Sequence, residues 1–340
     1  MDCTRSAAGV DRPRDVHRST KRSEPAPRDR DDPLPCGTVL AGRYVISRCA
    51  GDGATSRVYR ARDALAERFR RRNTDVALKI FKTAAERPSA IELAHNEAWM
   101  ATQFPHPSAA RVHGFFEHQD RAVVAMEWID GETLETRLRR MPGQRLPLDE
   151  ALVIASCVAG PLAIAHEAGV VHCDVKPGNI LMTDTGAVKL IDFSTARYAQ
   201  PASGVTGSPP PAPEAYVGFS PSYASPQARS CAPATVSDDV YSLACVLYRM
   251  VAGHLPNGES VTGDRTTSDR AAHWPRPRAL SRRRWSALRR ALATRPAQRP
   301  GDVREFVGSV AGGRMPWLFC GAYGPGAKAR GRWTERGSPR

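Results

Sequence analysis

From His172 the chain reads His172-Cys173-Asp174-Val175-Lys176-Pro177-Gly178-Asn179, and Leu190-Ile191-Asp192-Phe193-Ser194 follows shortly downstream. No other stretch constrains the fold as tightly. An acid, a cation and an amide fall within six residues, and a second acid must join them from further along the chain. Asp174 offers an acceptor for a hydroxyl proton and Lys176 a cation for phosphate. Asn179 and Asp192 offer oxygen ligands for a metal. So sparse a set suits magnesium, which keeps several waters and takes oxygens from phosphates. Each acid alone reads as a solvated loop aspartate; together, at these spacings, they point to a built site.

Two upstream segments fit the same chemistry. Gly51-Asp52-Gly53-Ala54-Thr55-Ser56-Arg57-Val58 follows a strand pattern directly, and its glycines let backbone amides approach phosphate oxygens. Ser56 stands where a third glycine would be usual, and an ordinary hairpin turn is the plainer reading of this segment alone. In Val76-Ala77-Leu78-Lys79 a lysine among apolar strand residues must bury its stem and find an anion, or else point to water from an edge. Ser89 and Glu92 form a capping box that starts a helix running to about Thr102. Five residues turn a helix by about 500°, so Glu97 points away from Glu92 and is free to pair with Lys79.

The patterns divide the chain. Residues 1–36 are charged and proline-dotted and read as a disordered arm. Strands are expected at Arg43–Ala50, Asp75–Phe81 and Arg121–Ile129, with Val76, Leu78 and Ile80 on one face. Long helices are expected at Leu148–Ala168 and Ser237–Ala252, and a shorter one near Trp285–Ala293. This is an α+β chain, with a strand-rich lobe over 37–130 and a helical lobe over 131–310. A loop is expected at Pro201–Pro213, and 311–340 reads as a flexible basic tail rich in Gly and Arg. Eight scattered cysteines form no C-x-x-C pair, which argues against a disulfide scaffold or a zinc site. His95, His106, His113 and His118 show no metal-like spacing. The apolar run Leu152–Ala165 is too short to span a bilayer and reads as a buried helix. With no apolar signal segment at the start, a cytoplasmic location is expected. The net charge of +14 gathers in part at 270–301, which holds ten arginines and no acid. A solvated arginine face is the plain reading; contact with nucleic acid or an acidic partner is the alternative.

The motifs in this order resemble those of the protein kinase superfamily, specifically bacterial serine/threonine kinases of the eukaryotic-like (Hanks) type. The resemblance runs from about Gly37 to Val310. It takes in the V-A-L-K strand, the H-x-D-x-K-x-x-N loop and Asp192-Phe193, then Tyr223-Ala-Ser-Pro226, Ser237-Asp-Asp239 and Arg295-Pro-Ala-Gln-Arg299-Pro300. It implies a two-lobed fold: a small antiparallel sheet with one main helix, then a larger helical lobe. It implies transfer of the γ-phosphate of Mg·ATP (with Mn²⁺ as a possible substitute) to serine or threonine of a protein substrate, and autophosphorylation. Gly51, Gly53, Ser56 and Val58 would roof the nucleotide, with Ala77 beside it. Lys79 would hold the α/β-phosphates and pair with Glu97. Met126 would be the gatekeeper, Glu127 and Ile129 would bond adenine through their backbones, and Leu181 would be its floor. Asp174 would accept the hydroxyl proton, Lys176 would steady the γ-phosphate, and Asn179 and Asp192 would bind the metal. Asp239 would brace the catalytic loop. Transfer would be in line, driven mainly by positioning and charge neutralisation.

Four positions depart from the family pattern. Cys173 replaces the arginine before the catalytic aspartate, which makes this a non-RD sequence. Phosphorylation at Ser203, Thr206, Ser208 or Ser222 is therefore expected to change activity little. Ser194 replaces a glycine and is expected to stiffen the metal motif. Gln227 replaces a glutamate that would pair with Arg299, leaving at most a neutral hydrogen bond of roughly half the strength. Pro161 inside a helix costs about 3 kcal/mol unless the helix kinks. A scaffold of the same fold without turnover and a small-molecule phosphotransferase are the alternatives, though the latter type generally lacks counterparts of Lys176-Pro177 and Arg299-Pro300.

Overall fold

The computed structural model describes residues 33–53, 55–82, 90–199, 220–255 and 274–313. The chain first builds a six-stranded antiparallel sheet from β1 (Val39–Leu40), β2 (Tyr44–Asp52), β3 (Ser56–Asp63), β4 (Asp75–Phe81), β5 (Val112–His118) and β6 (Arg121–Glu127). Their spatial order is β1-β2-β3-β4-β6-β5. Between β3 and β4 lies the short helix α1 (Ala64–Arg68), capped by Asp63, whose carboxylate accepts from Leu65 and Ala66 amides and from Arg43. Strict alternation along β4 decides both faces of the sheet. Val76, Leu78 and Ile80 pack with Ile46, Tyr59 and Val123 on one side. Ala77 and Phe81 pack with Met126, Leu93 and Ala94 on the other, against helix α2 (Ala90–Gln103). Each fully buried aliphatic side chain contributes about 1.5–3 kcal/mol, so a one-residue slip of β4 would invert the whole set.

The larger lobe follows. After β7 (Gly131–Thr133) come α3 (Leu134–Arg140), α4 (Leu148–Glu167), β8 (Val170–Val171), β9 (Ile180–Thr183), β10 (Val188–Leu190) and β11 (Arg197–Tyr198). Then α5 (Pro226–Arg229), α6 (Val236–Ala252), α7 (Arg282–Ala291) and α8 (Val303–Ala311) complete the described chain. The small strands form a β10-β9-β7 sheet and a β11-β8 pair, which frame the loop after His172. Helix α4 is the axis of this lobe. It is long and apolar enough to cross a membrane, yet most of it is buried against α6, α8 and β10. It runs unbroken through Pro161, and Gly160 lets it approach the His106 ring, where a Cβ would sit 3.0 Å from ring atoms.

Several boundaries differ from expectation for local reasons. β2 continues to Asp52, past Ala50, because Gly51 still pairs with Val58, and two register shifts in the β2–β3 ladder curl its end. β6 stops at Glu127 and leaves Ile129 in the linker between lobes. α7 starts three residues early, where Ser281 accepts from the Arg284 amide. Leu34 packs on the sheet core, and its amide donates to the Tyr59 hydroxyl at 2.9 Å, so part of the expected arm joins the small lobe. The cap residue Ser89, the loop 201–213 with Ser203, Thr206 and Ser208, and residues 314–340 lie outside the described residues. Trp274 and Trp285 pack on the core of the larger lobe.

Arg299 ties the end of the larger lobe to its middle. Only 5% exposed, it donates to Gln227 Oε1 (2.7 Å), Ala293 O (2.8 Å), Ser237 O (3.0 Å) and Thr294 O (3.2 Å). Gln227 thus gives the neutral bond expected. The remaining charge balance comes from Asp238, 3.9 Å away, and from the face of Tyr241 at 4.9 Å. Breaking such a buried set costs about 3–5 kcal/mol. Arg299→Ala should lose that much stability in urea unfolding, and Arg299→Lys should recover less than half, because an ammonium cannot fork to several acceptors. A lysine variant as stable as the parent would show that charge alone suffices.

Candidate active site

Alternation along β4 turns Lys79 toward α2, and helical spacing on α2 turns Glu97 back toward β4. They are 4% and 1% exposed, with Nζ 2.8 Å from Glu97 Oε2. Lys79 also donates to Asp192 Oδ1 at 2.5 Å, across the boundary between lobes. Glu97 Oε2 has no aligned hydrogen bond, so its link to Lys79 is an ion pair only. One cation therefore serves two buried carboxylates. Burial pushes the Glu97 carboxyl up, the Lys79 charge draws it down and Asp192 pushes it up again, leaving it at about 7. For Asp192 burial also acts upward, but the Lys79 charge and bond and the Ser194 hydroxyl outweigh it, and its carboxyl lies well below the usual range. Burial lowers Lys79, while the two acids more than compensate and raise it.

The loop that carries Asp174 hangs from Asp239 in the first turn of α6. This fully buried carboxylate accepts from the His172 amide (2.8 Å), the Cys173 amide (3.0 Å) and His166 Nε2 (2.8 Å). Cys173 (φ 66°) and Asp192 (φ 67°) both take left-handed backbone, which costs of order 1–3 kcal/mol each and persists only where surroundings impose it. The Cys173 thiol, 3.5 Å from Val171 O, is pushed well above its ordinary value by burial. Asp174 Oδ2 accepts from Lys176 Nζ (2.6 Å) and Asn179 Nδ2 (3.1 Å), and Oδ1 accepts from the Ser220 amide (2.9 Å). Lys176 also donates to Ser220 Oγ at 2.8 Å.

Three of the residues expected to enclose a nucleotide share one face of the sheet. Val58, Ala77 and Met126 share the apolar surface that α2 covers. In β9, Ile180 and Met182 enter the core of the larger lobe while alternation turns Leu181 the other way. The Gly53 amide donates to Ser56 O at 2.9 Å, and a Cβ on Gly53 would lie 3.3 Å from that oxygen. Asp52, between the glycines, accepts from Arg57 (2.8 Å) and Lys82 (2.5 Å); these bonds hold its carboxyl down at about 2. The Glu127 side chain accepts from Lys189 Nζ (2.5 Å) and the Arg111 amide (2.9 Å), which pins the linker between lobes.

The residues fit a nucleotide with a divalent metal. Asp192 Oδ2 and Asn179 Oδ1 accept no hydrogen bond among the described residues. The Ile191 amide donates to Asn179 O at 2.9 Å, which holds the two ligands side by side. Among the described residues no three His, Cys, Asp or Glu side chains gather into a metal cage.

The protein kinase domain family matches residues 44–309. This chain is a member of that family. It is 34% identical to the serine/threonine-protein kinase PknA of Mycobacterium tuberculosis, over 82% of this chain and 64% of that protein. It is 32% identical to the serine/threonine-protein kinase PknB of Mycobacterium leprae, over 64% of this chain and 33% of that protein. The chain thus spans less than two thirds of the length of these relatives. The crystal structure of the M. tuberculosis PknI kinase domain is similar at a TM-score of 0.63 and 28% identity, over 82% of this chain and 100% of that domain.

Of the expected site residues, the structure brings Lys79, Glu97 and Asp192 into one cluster and Asp174, Lys176 and Asn179 into another. Ile129 lies in the linker that follows β6. The sequence reading missed Ser220, whose amide and hydroxyl reach both Asp174 and Lys176; a hydroxyl shortly before Tyr223 was the available signal. The Ser194 hydroxyl donates to Asp192 Oδ1 at 2.6 Å, a bond that a glycine at this position could not make.

Between about pH 4.5 and about 7 the folded protein holds a proton on Glu97 that the unfolded chain releases. The stability contributed by this group falls as pH rises through that window. The melting temperature of Glu97→Gln relative to the parent should rise across the window and level off above it. A difference independent of pH would mean that Glu97 is ionised throughout.

Proposed function

We propose that this chain is a serine/threonine protein kinase that transfers the γ-phosphate of ATP to a protein hydroxyl, uses Mg²⁺, and belongs to the non-RD type. One observation carries the reading: Lys176 bridges Asp174 and the hydroxyl of Ser220, so a proton acceptor, a cation and a serine side chain already meet at one point. The names of the relatives, both serine/threonine-protein kinases, support the acceptor class.

In this mechanism one oxygen of the Asp174 carboxylate takes the proton of the incoming hydroxyl, and Asn179 holds that carboxylate by its amide. Lys176 exchanges Ser220 for the transferring phosphate and neutralises charge as it develops. Lys79, steadied by Glu97, holds the phosphates further back. Asn179 and Asp192 would hold Mg²⁺, which when bound screens the phosphate oxygens. Val58, Ala77, Met126 and Leu181 enclose the base, while Glu127 and Ile129 offer backbone groups at its edge. Cys173 brings no cation to the catalytic loop, which supports activity without loop phosphorylation.

A scaffold role finds no support in the site, since the lysine, the catalytic aspartate and the metal aspartate are all present and within reach of their partners. Among the described residues of the 270–301 segment, Trp274 and Trp285 pack, partly buried, against the core of the larger lobe, which does not favour them as stacking platforms for nucleic acid.

Purified protein with labelled γ-phosphate ATP and Mg²⁺ should give acid-stable label on serine or threonine. Asp174→Asn should reduce it by at least about a thousandfold. Tight ATP binding with no transfer would overturn the proposal. Pre-incubation with unlabelled ATP should change the rate less than about threefold, and a much larger gain would show that loop phosphate is needed after all.

A further inference from the structure

The stretch that follows Asp192 is gripped from two sides. On the larger lobe, β11 pairs with β8 in the register Arg197↔Val171 and Tyr198↔Val170, and the Ala199 amide donates to Gly169 O at 2.7 Å. On the smaller lobe the grip comes from side chains of α2. Asn96 Nδ2 donates to Ala196 O (3.1 Å) and, more weakly, to Ser194 O (3.4 Å). One turn further on, Trp99 Nε1 donates to the Tyr198 hydroxyl at 3.2 Å. Residues three apart lie on one face of a helix, so the two contacts form a single edge.

Asn96 directly precedes Glu97. A rotation of α2 that drew Glu97 from Lys79 would also draw Asn96 from the two carbonyls. Ser194 and Ala196 are 8% and 2% exposed, so their carbonyls have little water to turn to. The catalytic loop, meanwhile, carries Cys173 where a cation could have tethered a phosphorylated segment, and its thiol sits by Val171 O instead.

We propose that Asn96 is a positioning residue: supported by the Trp99–Tyr198 contact, it latches the segment after Asp192 to α2 and so orders the metal aspartate without a loop phosphate. The proposal rests on the kinase reading above. Aspartate at 96 keeps the shape but turns a donor into an acceptor facing two carbonyl oxygens. Glutamine keeps the donor on a longer arm. In Trp99→Phe the ring stays and the N–H is lost.

The test compares the parent, Asn96→Asp, Asn96→Gln and Trp99→Phe in the full chain, all treated with phosphatase. It measures turnover with a protein acceptor, ATP affinity, and amide exchange over 193–198. Asn96→Asp should lose about tenfold or more in kcat while KM for ATP moves less than about threefold, and exchange over 193–198 should quicken. Asn96→Gln should regain most of the turnover, and Trp99→Phe should show a smaller loss of the same kind. An Asn96→Asp protein with parental turnover and exchange would overturn the latch. So would a loss of kcat matched by an equal loss of ATP affinity, which would place the effect at Lys79 and Glu97. Exchange needs no turnover: an inactive parent would sink the functional reading, and the exchange difference would still judge the latch.

Discussion

Asp239 accepts three hydrogen bonds from a place no water reaches, and the catalytic loop depends on them. Two of the donors are consecutive backbone amides, His172 and Cys173, so the carboxylate holds a peptide plane and with it the left-handed turn at Cys173. The third is His166 at the end of α4, which joins the axis of the larger lobe to the same point. Burial alone would raise this carboxyl; the His166 bond, the nearby histidines and the His172 amide outweigh it and lower it, so it remains an acceptor. Its position in the first turn of α6, near the positive end of that helix, works in the same direction. Everything from Asp174 to Asn179 is suspended from this anchor.

A second constraint joins the lobes. Lys79 comes from the sheet, Glu97 from α2 and Asp192 from the strand–loop below, and no two of them share an element. Their meeting requires the sheet, the helix and the larger lobe to hold their relative positions, and two acids on one lysine make the arrangement sensitive to any added cation or anion.

What could be read from the sequence follows from which contacts leave a periodic trace. Val76 to Phe81 announced a strand by alternation, and that alternation already aimed Lys79 at the helix. Glu97 was found by helical arithmetic from Glu92. Asp174, Lys176, Asn179 and Asp192 were legible because their spacing is fixed by the backbone of one loop and the strand pair after it. Ser220 was harder to find: its amide, which reaches Asp174, leaves no signature, and only its hydroxyl, which meets Lys176, could have pointed to it. Asn96 and Trp99 were missed for a related reason: both bond to groups in a segment that sequence places far away, and two of the three atoms they meet, Ala196 O and the Tyr198 hydroxyl, belong to no motif. Helix α1 escaped because its five residues are too few to show a period, although Asp63 was a readable cap.

The Glu127–Lys189 bond has a mechanical meaning beyond its charge. Lys189 stands directly across the β9–β10 ladder from Leu181, and Asp192 follows β10 closely. Glu127 closes β6 of the small-lobe sheet, so this bond couples the end of that sheet to the β9–β10 pair that carries Leu181 and leads to Asp192. Lys79 and the glycine turn lie on the same sheet as Glu127, which faces Val76 across the β4–β6 ladder. Any swing of the sheet against the larger lobe must therefore turn about the Glu127–Lys189 contact or break it.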